Sequence, residues 1–233
     1  DSTEMIEAES LDEDYTFYDS NAEYHLYLNM VHNKALAKIL VEVKRVDLIE
    51  TLQLKLGDPL DKYQNKFGVV DPLKVPNPLY IVAIISELNQ VVDKHGWGFT
   101  YDACKFYVYT TQYWEKLSAD ILKRFLNIAA VKLGFYSSSD AMTSTFVNSL
   151  LKQYQSQVPI YKQSAEKNTV LVNLKNGTFE VNGEGMKFRE HTKQDFIKHI
   201  LPYEYDKDAE APIFRMYLDK VLPDKESQLI LQE

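Results

Sequence analysis

Between Leu171 and His191 the chain reads LVNLKNGTFEVNGEGMKFREH, and no other stretch limits the fold as tightly. Two turn signals, Lys175-Asn176-Gly177 and Asn182-Gly183-Glu184-Gly185, stand close together, with short alternating runs on either side. A helix cannot absorb that pattern. It predicts a tight antiparallel β-meander. Asn176-Gly177 is the pair that a two-residue hairpin turn favours, because its central residues can require positive φ.

The rest of the chain carries mainly helical spacing. Residues 21–56 place Leu36, Ile39, Leu40, Val43 and Val46 at helical intervals, with Gly57 as a stop. Residues 68–78 hold three prolines and a glycine and read as a connector. Leu79 to Lys94 reads as a helix with Pro78 near its first turn. The run GFTYDACKFYVYTTQYWEKL has strand chemistry, predicting a hairpin that ends in an aromatic contact around Tyr109 and Trp114. An amphipathic helix follows, with Ser118 as N-cap and Gly134 as the residue past its end. Further helices are expected from about Asp140 to Gln155 through the SSSD stretch, over KQDFIKHIL, and from Pro212 through APIFRMYLDKVLP. The expected class is α+β, predominantly helical, with a small antiparallel β-sheet or meander. The expected organisation is an acidic leader over 1–20, a helical segment and linker over 21–75, and a further domain over 76–233.

The chain is long and apolar enough to bury a core. Its net charge is −8, and residues 1–20 alone carry eight acids and no Lys or Arg. The remaining residues therefore balance at zero. The acidic stretch reads as a solvated leader or linker. No run approaches a membrane span and no basic-then-apolar signal opens the chain. Its one cysteine, Cys104, stands among aromatics and fits a buried inert thiol in a reducing, cytoplasmic setting.

Motifs for chemistry are missing. There is no GxxxxGK[ST] loop, no HExxH and no CxxC. The five histidines are dispersed. Asp206, Asp208 and Glu210 alternate like the start of a calcium loop, but the glycine and distal Glu are absent, which leaves an Asx-type turn. Basic side chains remain. Lys123, Arg124 and Lys132 share one predicted helix, and Lys175, Lys187 and Arg189 decorate the meander. These six are candidates for phosphate-backbone contacts, set against the plain alternative of solvated surface residues. No catalytic, cofactor-binding or metal-binding residue is assigned.

The segment from Asn173 to Glu233 resembles the region just ahead of the superfamily 3 helicase motor in phage/plasmid and poxvirus-type DNA primase–helicases. The resemblance rests on Asn173, Asn176-Gly177-Thr178, Leu201-Pro202-Tyr203, Tyr205-Asp206, Pro212 with Phe214, and Leu231-Gln232-Glu233. Upstream, KFYVYTTQYWEKLSADILKRFL is similar to the family's aromatic strand pair and the helix after it, through Tyr109 and Trp114. About two-thirds of the chain is covered, from residue 80 onward. Phe214 stands where the family commonly has tryptophan, a packing change.

The resemblance implies a non-catalytic accessory domain that links primase to helicase, assists ring assembly and guides DNA. It implies ATP and Mg only in a helicase domain beyond Glu233, with the last helix stopping in mid-pattern as if the natural chain continues. Implied partners are the adjoining domains, further copies in a ring, and DNA held weakly and without sequence preference. No membrane partner is implied. A stand-alone protein-interaction adaptor and a small enzyme with an unrecognised site are the competing readings.

Overall fold

The computed structural model describes residues 20–55, 57, 60–135, 143–161 and 168–230. Residues 1–19 of the acidic leader and the SSSD stretch lie outside the described residues, as do Asp58-Pro59 and the terminal Leu231-Gln232-Glu233.

The first helical segment is broken twice. α1 (Ser20–Val31) ends at His32, whose φ is +50°. Asn33 then caps α2 (Lys34–Glu42) by accepting from the Leu36 N–H at 2.9 Å. The chain leaves the helix over 43–47, extended at Val43 and Asp47, and Asp47 caps the short α3 (Leu48–Glu50), which continues as a π-turn over Thr51–Lys55. The apolar spacing was helical throughout, but two Asx caps cut it into separate helices. Gly57 takes a positive φ of +60°.

α4 (Asn77–Lys94) starts with Pro78 in its first turn. A meander follows: β1 (Gly98–Asp102), β2 (Lys105–Tyr109) and β3 (Trp114–Leu117), all antiparallel. The sequence suggested a hairpin here, and the third strand completes a sheet. Ser118 accepts from Ile121 N–H and caps α5 (Ala119–Lys132), which Gly134 follows at φ +102°. Thr143 caps α6 (Ser144–Gln157).

The second meander joins β4 (Val170–Leu174), β5 (Gly177–Asn182) and β6 (Gly185–Arg189). It does not extend the first, so the single sheet expected is two separate three-stranded sheets. Two helices close the described chain, α7 (Pro212–Val221) and α8 (Lys225–Ile230). Asp206 accepts from the Asp208 N–H at 2.9 Å, the Asx turn read from the sequence.

The core gathers Leu36, Ile39 and Leu40 of α2, Ile84, Ile85 and Leu88 of α4, Leu122, Phe125 and Leu126 of α5, and Leu150 and Tyr154 of α6. The first sheet is buried on both faces. Phe106 and Val108 enter that core, while Tyr107, Tyr109 and Trp114 form a second cluster with Phe196. Side chains alternate faces along a strand, so KFYVY reads as nearly continuous aromatic and apolar residues.

Two expectations fail for local reasons. KQDFIKHIL forms only one 3-10 turn, Lys193–Asp195. Phe196 then flips to φ +48°, which drops its ring edge-on against Trp114 with centroids 5.6 Å apart. Burying that ring outweighs helix propensity. Cys104 is exposed rather than buried. It and Ala103 form the β1–β2 turn with φ of +61° and +46°, the left-handed pair that a two-residue hairpin requires.

Candidate nucleic-acid interface

The second meander is organised around two asparagines. Asn173 is buried, and its Nδ2 donates to Gln112 O at 3.0 Å and to His199 O at 3.1 Å. Its Oδ1 accepts from the Thr178 hydroxyl at 2.8 Å. One side chain thus ties the hairpin to the turn of the first sheet and to the segment after β6. Asn176 does something different. Its Nδ2 donates to Tyr205 O at 2.8 Å, and its Oδ1 accepts from Tyr205 N–H at 2.8 Å. The amide therefore pairs with both backbone groups of one residue, as a neighbouring strand would.

Backbone bonds complete this strap. Leu201 N–H donates to Asn173 O at 2.9 Å and Lys175 N–H donates to Tyr203 O at 2.9 Å. The run Leu201-Pro202-Tyr203-Glu204-Tyr205 is thereby laid along the β4 side of the sheet, where an open edge would otherwise invite other chains. Pro202, which lacks an N–H, sits between bonded positions. The Tyr205 ring packs on Phe179 and Phe188, at centroid distances of 4.6 and 4.9 Å.

Gly177 has a steric reason. A Cβ there would lie 2.5 Å from Phe188 Cζ and 2.7 Å from Arg189 O. The turn itself is Lys175-Asn176, between the paired Leu174 and Gly177, and neither residue takes a positive φ. The expectation of positive φ therefore fails at Asn176 but holds at Gly177, whose φ is +159°, and the ring beneath it is a second reason for glycine.

Tyr109 and Trp114 anchor the first sheet. Trp114 Nε1 donates to Lys193 O at 2.9 Å, and its backbone N–H donates to Ile197 O at 2.8 Å. Burial, with the nearby Asp195 carboxylate adding to it, pushes the Tyr109 phenol up to about 12, so this hydroxyl stays protonated and serves packing.

Two of the six basic candidates are committed internally. Lys132 is committed internally: its ammonium pairs with Glu23, donates to Leu40 O at 2.8 Å and lies over the Tyr27 ring. Arg189 is held between Glu180 at 2.9 Å and Asp195 at 2.8 Å, and the hydrogen bonds it donates to these carboxylates hold its guanidinium charged. Arg124, Lys175 and Lys187 are exposed and Lys123 is half-buried. Lys123 and Arg124 are on α5, while Lys175 and Lys187 belong to the second meander.

Lys132→Ala should therefore weaken the fold. Burial pushes the Glu23 carboxyl up, but the Lys132 and Tyr27 hydrogen bonds and the Lys132 charge outweigh it and leave the group below the usual value. A lowered folded-state pKa adds stability above the ordinary carboxylate range, lost as pH falls through the folded value. Urea midpoints should separate wild type and variant at pH 7 and converge in acid. A constant difference across that window would rule out the ion pair as the cause.

Among the described residues, no group of three or more His, Cys, Asp or Glu side chains could hold a metal ion. No helix among them is long and apolar enough to cross a membrane.

One meander thus packs on a helical core, and a second, strapped by the chain that follows it, is tied to the first through Gln112, with no catalytic constellation assigned. A family model described as D5 N terminal like matches residues 85–223, more than half of the chain. The chain belongs to this family, the N-terminal-like domain of D5-type primase–helicases. No curated protein matches it. The family match covers this domain alone, and no ATPase domain is detected in the chain.

Proposed function

We propose that this domain is a non-catalytic link in a D5-type DNA primase–helicase, joining primase to motor, supporting ring assembly and guiding DNA. The observation that carries the reading is the family match over residues 85–223. The strap supports it: Asn173 and Asn176 fix the path of Leu201–Tyr205 toward α7, which suits a domain that must pass on a defined direction. On α7, Ile213, Phe214, Met216, Tyr217 and Val221 are exposed together. An apolar face of this kind suits cover by an adjoining domain or a neighbouring subunit. ATP and Mg belong to the motor in this reading, and the setting is cytoplasmic replication of a phage-like or mobile element. The α7 face alone equally suits a stand-alone adaptor that binds protein and no DNA.

The test uses the natural protein that carries this domain, with and without residues 85–223, weighed by mass photometry. The intact protein should form closed rings. Removal of the domain should leave mostly monomers at the same concentration. Rings of equal stability without the domain would refute the assembly role.

A further inference from the structure

A cleft of about 640 Å³ opens between the α1–α2 junction and the turn joining β2 to β3. His32, Lys34 and Lys38 line one side, and Trp97, Gln112 and Tyr113 line the other. Lys34 and Lys38 stand one turn apart on α2, so both ammonium groups serve the same face. Both are exposed, and neither enters an ion pair among the described residues. That separates them from Lys132 and Arg189, whose charges are already spent. The Asn33 side chain satisfies the Leu36 amide. The amides of Lys34 and Ala35 remain at the positive end of the helix, beside the two lysines.

The opposite wall is rigid because the second meander holds it. Gln112 Nε2 donates to Lys175 O at 2.8 Å, and Gln112 O accepts from Asn173 at 3.0 Å. Tyr113 is half-buried beside Gln112. Burial first, and the Glu115 carboxylate second, push its phenol above its ordinary value, so the ring stays neutral. Trp97 is buried and stacked on His95 at 4.9 Å, so it forms the floor.

The dimensions and the chemistry select the ligand. The volume suits a nucleotide-sized unit and is far too small for a duplex. Unpaired lysines beside an aromatic face are the means by which proteins hold single strands without reading sequence. The lining continues past one unit. A second cleft of about 420 Å³ shares Lys38 and Trp97 and reaches Tyr24 and His95, while the exposed Lys175 follows Gln112 at the other end. Glu115 and Glu42 also line these clefts, which disfavours a compact triphosphate and favours spaced single phosphates.

We propose that this cleft binds single-stranded nucleic acid, with a phosphate between Lys34 and Lys38 and a base on the Tyr113 ring. The proposal rests on the DNA-guidance reading and places the contact on α2.

The test measures anisotropy of dye-labelled oligo-dT with the full chain across a salt series. Lys34→Ala/Lys38→Ala should weaken binding about tenfold or more and lower the salt slope by about 0.7, for the one phosphate the two lysines share. Its melting temperature should not move, because neither side chain holds anything in place. Tyr113→Ala should weaken binding with the salt slope unchanged, while Tyr113→Phe should bind like wild type. Unlabelled duplex should fail to compete. Binding unchanged in the double-lysine variant but lost in Lys123→Ala/Arg124→Ala or Lys175→Ala/Lys187→Ala would overturn the cleft and leave DNA guidance standing. No strand binding by the wild-type chain at low salt would overturn both. Thymidine monophosphate competing as well as the oligonucleotide would overturn the strand assignment in favour of a free nucleotide.

Discussion

Trp114→Ala is expected to cost the fold about 3–5 kcal/mol, the range for removing a buried tryptophan. The residue is 1% exposed and is among the largest fully buried side chains in the molecule. Its ring meets Tyr109, Tyr161 and Phe196 at centroid distances of 5.3, 4.9 and 5.6 Å. The substitution opens a cavity in this cluster and also leaves Lys193 O without the indole donor. Trp114→Phe fills most of the space and loses only that bond, so it should cost about 1–2 kcal/mol. Hydrogen exchange should show the damage spreading to Lys193–Ile197, because this segment is fastened to the first sheet through Trp114. A destabilisation below about 1 kcal/mol for the alanine variant would show that the cluster does not hold the two parts together.

The meander and the long helices were legible because their signals are local. Asn-Gly and Gly-x-Gly turns between alternating runs leave little else for Leu171–His191 to form, and Ser118 and Gly134 bracket α5 as the capping rules require. What was illegible depends on partners far away in the chain. Phe196 belongs to a sequence that looks helical, and its partners Tyr107 and Trp114, some eighty to ninety positions earlier in the chain, explain why no helix forms there. Lys132 looked like a free surface charge because its acid, Glu23, lies 109 residues away. The cleft shows the same limit from the other side. Lys34 and Lys38 sit in an unremarkable helix, and nothing local says that Gln112 and Tyr113 will stand across from them. Gly177 was picked correctly for half of its reason: its φ of +159° was foreseeable from the turn, and the clash with the Phe188 ring was not.

Asn173 gives the most discriminating substitution, because its amide donates to two carbonyls and accepts from one hydroxyl in a buried place. Asn173→Ala leaves Gln112 O, His199 O and the Thr178 hydroxyl without these partners. The expected cost is about 2–4 kcal/mol, since groups left unsatisfied in a buried site cost about 1–3 kcal/mol each and some regain water. Asn173→Asp keeps the shape and reverses the chemistry. An ionised carboxylate cannot donate, and it would place negative charge against both carbonyls. At pH 7 the aspartate variant should therefore be less stable than the alanine variant. A protonated carboxyl restores one donor, so burial and the facing carbonyls should raise this group's folded-state pKa above its unfolded value. A carboxyl shifted upward binds its proton more tightly when folded, so the stability of the variant should rise as pH falls through that raised value. Denaturation of wild type, Asn173→Ala and Asn173→Asp at neutral and mildly acidic pH measures this directly. The order of the two variants should invert on acidification. If aspartate were as stable as asparagine at pH 7, the amide donors would not be what joins the strapped meander to the wall of the cleft.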